Sequence, residues 1–144
     1  MKSNTDNTEQ FDYGITRTSI DDGAIIIVRT QGDMSRNAIN TWASLIILTM
    51  QEWKSDRPLA LINNLSHPQQ GFTPFSQKRT QDIVDARPKG LTVYAAVVIP
   101  RTFMYHILEM FSRTPIFKQT GQHVQFFNTE EQAIEWIREE LKKY

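Results

Sequence analysis

Hydrophobic positions along this chain fall into two kinds of run. Some are short and unbroken, which predicts strands; in others apolar residues return every third or fourth place, which predicts helices. Tyr13 to Ile20, with Ile15 and its β-branched threonines, predicts a first strand. Asp21, Asp22 and Gly23 then predict a tight turn, because an Asp-Gly pair accepts the positive φ angles of hairpin loops. "AIIIVRTQG", Ala24 to Gly32, predicts a second strand. Its four consecutive β-branched residues fit burial on both faces.

Ser35 can cap a helix running to about Lys54, with Ala38, Trp42, Leu45, Ile46, Thr49 and Trp53 at helical spacing. Ile39, Ile47 and Met50 widen that stripe. The extra surface fits a helix gripped by the sheet and a neighbour, or a face through which the chain pairs with itself as a homodimer. Pro58 precedes a third strand, "LALIN". Thr73 and Pro74 have the chemistry of an N-cap and first helical residue, opening a helix that ends near Arg87, before Pro88 and Gly90. Its large apolar residues are chiefly Phe75, Ile83 and Val84, so it is expected to be the most exposed helix.

Leu91 to Ile99 predicts a fourth strand, and Thr102 to Arg113 a third helix with Phe103, Ile107, Met110 and Phe111 on one face. His123 to Phe127 predicts a last strand. In the closing helix, Thr129 and Gln132 can form a capping box, and Ala133, Ile134, Ile137 and Leu141 form the buried face. The expected fold is therefore a single α/β domain over residues 13–144. It has a mixed, mainly parallel five-stranded sheet with four helices in the order ββαβαβαβα, behind a flexible N-terminal arm at residues 1–12.

Composition narrows the class of function. The chain has 144 residues, of which 16 are basic and 16 acidic. This balance lacks the broad positive footprint of a nucleic-acid binder, although Arg101, Arg113 and Lys118 form a local basic group. There is no cysteine, so thiol nucleophiles and thiolate metal sites are excluded. The apolar clusters are too short to span a bilayer, and the first twelve residues are too polar for a signal peptide. The expected location is the cytoplasm.

No GxGxxG or P-loop pattern is present. His67, His106 and His123 lie far apart with no metal-ligand spacing, Ser66 beside His67 lacks a nucleophile elbow, and the acids cluster on helices and turns. The expectation is a protein without catalytic residues, metal or cofactor. One helix invites an alternative: Phe103, Met104, Ile107, Met110 and Phe111 could line a pocket for an apolar small molecule or lipid. An enzyme without a familiar signature is a third reading.

The segment "LALINNLS" before a helix, "AAVVI" at Ala95 to Ile99, and the run Phe127, Asn128, Thr129, Glu130, Glu131, Ala133 and Trp136 together resemble a STAS-type domain of the SpoIIAA-like branch. The resemblance covers roughly Ala24 to Leu141. It implies a non-enzymatic regulator that binds a protein partner and is switched by phosphorylation at the start of the helix after the third strand. The family has an acid, paired serines and glycine there. This chain has "GFTPFS", so Thr73 and Ser76 are the positional matches, with Phe72, Phe75, Lys78 and Arg79 as the surface a partner would read. A phosphate there would sit beside a helix N-terminus, which favours negative charge. The architecture is also similar to ligand-binding CRAL-TRIO domains, which implies the apolar pocket as the alternative.

Overall fold

A computed structural model describes residues 7–31, 35–65, 74–101 and 122–144. Six strands form one sheet in chain order: β1 (Asn7–Gln10), β2 (Thr16–Ile20), β3 (Ile25–Arg29), β4 (Leu59–Asn64), β5 (Val93–Val98) and β6 (Gln122–Phe127). β1 with β2 and β2 with β3 pair antiparallel, while β3, β4, β5 and β6 are parallel to one another. Three helices occur among the described residues: α1 (Arg36–Glu52), α2 (Pro74–Asp85) and α3 (Glu130–Leu141). The mixed, mainly parallel α/β class is as expected, but the sheet has six strands rather than five. The expected helix over Thr102 to Arg113 lies outside the described residues, so three helices stand where four were expected.

The additional strand comes from the stretch expected to be a mobile arm. Asn7–Gln10 is exposed throughout, so no burial pattern marked it. It is held by the ladder to β2 and by cross-strand polar pairs: Thr8 with Thr18 at 2.9 Å, and Glu9 with Arg17 at 2.9 and 3.0 Å. Tyr13, expected inside a strand, instead lies in a short 3₁₀ turn with φ 64°, next to Gly14 at φ 72°. That turn lets β1 fold back on β2.

Side-chain alternation gives the sheet two cores. Val28, Leu59, Leu61 and Val93 face α1 and α2, whereas Ile25, Ile27, Ala60, Ile62, Ala96 and Val98 face α3. Parallel strands added in one direction with crossovers of one hand place the connecting helices on one face. The helix after the last strand closes the other. Alanines at Ala60, Ala96 and Ala133 let α3 approach the sheet closely.

Local chemistry fixes the helix ends. Ser35 and Thr129 accept hydrogen bonds from the amides of Ala38 and Gln132, each at 3.2 Å. Asp21, Asp22 and Gly23 all have positive φ, and Arg138 of α3 donates two 2.8 Å bonds to the Asp21 carboxylate, clamping the hairpin tip. Within α1, the stripe-widening Ile39 and Met50 are buried inside the protein, which accounts for most of the surface that suggested self-pairing. Leu48 is left 44% exposed.

Burial predicts a contrast measurable by urea unfolding. Ile62→Ala, which truncates a fully buried side chain between β4 and α3, should cost about 2–5 kcal/mol. Leu48→Ala, on the exposed side of α1, should change stability by less than about 0.5 kcal/mol.

Candidate functional site

The carboxyl ends of parallel strands are where open α/β sheets most often place ligands. Here β3 ends in Arg29 and Thr30, β4 in Asn63 and Asn64, and β6 leads through Asn128 and Thr129 into α3. The N-termini of α1 and α2 reach the same neighbourhood, joined by the Arg36 guanidinium, which lies 4.0 Å from the centre of the Phe75 ring.

On the α3 side, Arg29 donates two hydrogen bonds to Glu130, at 2.7 and 2.8 Å, and a third to the Thr18 hydroxyl at 3.0 Å. The Asn64 side-chain amide donates to the same carboxylate at 2.6 Å. Thr30 gives both its amide and its hydroxyl to the Asn64 carbonyl, each at 3.2 Å. The hydrogen bond from Arg29, opposed by partial burial and aided by Asn64, holds the Glu130 carboxyl below its usual range. A bidentate guanidinium–carboxylate pair with a supporting amide fixes both groups in one geometry. On the other face, the Trp42 indole N–H donates to the Asn63 side-chain oxygen at 2.8 Å, satisfying both buried groups.

Of the residues expected to form a switch, Ser76 lies half-buried in the first turn of α2, its carbonyl accepting the Thr80 hydroxyl at 2.8 Å. Phe75 packs against the α1-side core. Lys78 and Arg79, expected on the surface a partner would read, both pair with Asp82, at 2.6 and 2.8 Å. Those bonds, Lys78 first, hold the Asp82 carboxyl below its usual value. The Arg79 Nε is buried and has no acceptor among the described residues. Thr73 and Phe72 lie outside the described residues, as do the expected pocket residues Phe103, Met104, Ile107, Met110 and Phe111.

The sheet face beneath α1 and α2 does carry an apolar cavity of about 80 Å³, bordered by Trp42, Ile46, Leu61, Ile83, Val93 and Phe126 among others. Pockets for drug-sized ligands are several times larger. Among the described residues there is no group of three or more His, Asp or Glu side chains able to hold a metal. No described helix is long and apolar enough to cross a membrane. His123 stacks on Tyr94, ring centres 4.3 Å apart.

Sequence reasoning missed the Arg29–Glu130–Asn64 cluster. The sequence places Glu130 only in the run from Phe127 to Trp136, and Arg29 is the one charged residue in β3. A lone arginine ending an otherwise apolar strand was the available signal. Comparison with protein-family models, curated proteins and solved structures finds no match to the chain.

Glu130→Gln should lower stability near neutral pH by about 1–3 kcal/mol, toward the lower figure because Arg29 is partly exposed. A carboxyl depressed from its ordinary 4.5 stabilises the fold above that value, and the contribution is lost as pH falls through the lower folded value. Urea unfolding of both proteins should show a difference that is constant above about pH 5 and shrinks in more acidic solution.

Proposed function

We propose that this chain is a non-catalytic protein-interaction module of STAS-like, SpoIIAA-like character, which docks a protein partner through α2 and is switched at that helix's first turn. The observation that carries this reading is the character of α2 itself. It starts at the carboxyl edge of the parallel strands and fully buries only Val84 among its twelve residues, leaving Pro74, Gln77, Lys78 and Asp85 exposed as the face offered to a partner. The strand–helix alternation and the segment from Phe127 to Trp136 support the same reading. The charged groups at the sheet's carboxyl edge are engaged with one another, an arrangement suited to holding shape.

The switch has a physical route. A phosphate on Ser76 would add about two negative charges near the free amides of a helix N-terminus. Arg79, three residues on and therefore on the same side of the helix, carries the positive charge within reach of it. Drawing Arg79 toward phosphate would loosen its pairing with Asp82 and redistribute charge over the exposed surface that includes Lys78. Thr73, at the N-cap position by sequence, is the second candidate for the same modification. Pairing with a second copy of the chain falls within this reading.

A second reading is favoured by the apolar cavity beneath α1 and α2. Its 80 Å³ would suit a small apolar molecule, in the manner of a CRAL-TRIO-like binder.

The test begins with intact mass and fragmentation of the protein taken from its own cells, followed by recovery of bound partners with wild-type, Ser76→Ala and Ser76→Glu chains. The expected outcome is a phosphate on Ser76 or Thr73, and a partner retained by one Ser76 variant and lost at least ten-fold by the other. An unmodified chain whose variants recover the same proteins equally would remove the switch. A small molecule released on denaturation would favour the second reading instead.

A further inference from the structure

On the face of the sheet opposite α2, α3 lies over β4 and β5 more than over β6, the edge strand among the described residues. A groove of about 410 Å³ remains between them. Its floor is aromatic: the rings of Phe127 and Trp136 stand 5.7 Å apart. Trp136 also lies 6.1 Å from Tyr94, on which His123 stacks, so the aromatic surface continues along the strands. Its wall is acidic, formed by Glu135 and Glu139 on successive turns of α3, with Gln132 between them and the strand's end at Asn128.

The acidic row is longer than the groove. Glu131, also exposed, lies one turn before Glu135, so three glutamates occupy positions i, i+4 and i+8 on one side of the helix. Like charges at this spacing oppose helix formation. Among the described residues only Glu139 has an ion-pair partner on this wall, Lys142 at 2.7 Å, and no cation lines the groove. Arg138 is turned away to clamp Asp21. The row is thus a local excess of negative charge on a chain that is neutral overall, set beside an indole face able to hold a cation.

We infer that the groove between β6 and α3 docks an extended segment of a partner protein that carries lysine or arginine at alternate positions. The edge strand supplies backbone pairing, alternation directs every second side chain toward α3, the glutamate row neutralises those cations, and Trp136 packs on their stems. This surface lies on the other side of the sheet from α2, so its test and the test of the α2 reading succeed or fail separately.

The experiment uses the whole chain, labelled with ¹⁵N and titrated with an eight-residue peptide of alternating lysine and valine, beside a peptide of alternating glutamate and valine. The lysine peptide should shift the amides of Phe126 to Asn128 and the Trp136 indole N–H, and added salt should weaken it. Glu135→Gln with Glu139→Gln should lower its affinity about ten-fold while leaving the α3 resonances in place, the scale expected for two rim charges. Equal binding of the glutamate peptide, shifts elsewhere, or affinity unchanged in the double variant would overturn the inference. Shifts of the same residues that grow with protein concentration in the absence of peptide would also overturn it, by assigning the groove to a second copy of the chain.

Discussion

Because β3, β4 and β5 are covered on both faces, their backbone amides and carbonyls must pair within the sheet and each side chain must join one of two cores. A slip of one residue would exchange the two sets, putting Ile25, Ile27 and Ile62 under α1 and Val28 and Leu61 under α3. The α3 side cannot accept that exchange cheaply, since Ala60, Ala96 and Ala133 set a close approach that larger side chains would obstruct. Register, the placement of α3 and the position of every group at the carboxyl edge follow from this division.

The polar cluster at that edge is best understood as part of the same fixing. Glu130 opens α3, Arg29 ends β3 and Asn64 ends β4, so their shared hydrogen bonds join the start of the last helix to two central strands. The chain of contacts continues through Thr18 to Thr8 in β1. At the opposite end of α3, Arg138 grips the hairpin tip at Asp21. The helix is thus oriented by ionic contacts at both ends and by apolar contact between them. That orientation sets the width of the space beside β6.

Much of this arrangement was legible in the residues. The run Ile25 to Val28 announced a doubly buried strand, Ser35 and Thr129 announced two helix starts, and Ala133, Ile137 and Leu141 announced the face of α3 that is buried. β1 was not legible, because a short polar strand has no burial pattern and is held by pairing that only tertiary structure supplies. Ser76 lies in the first turn of α2, a helix expected to be the most exposed but in which only Pro74, Gln77, Lys78 and Asp85 are exposed. The engagement of Lys78 and Arg79 with Asp82 is available from their spacing along the helix, a pairing that treating the two cations as a partner surface overlooks. The Arg29–Glu130 pair joins residues 101 positions apart, a distance over which a sequence pattern offers no pairing rule.

The two borders of the sheet are unlike, and this bears on how the protein avoids uncontrolled assembly. A sheet with two equally adhesive borders can join head to tail without limit and grow into a filament. Here one border is the short strand Asn-Thr-Glu-Gln, exposed at every position and without an apolar side chain to reward a newcomer. The other, β6, has apolar and aromatic residues on both sides of the strand. Contact between copies through β6 alone is self-limiting, since each copy brings a single such border and a pair consumes both. Among the described strands, the plain first one therefore offers such growth no second adhesive border.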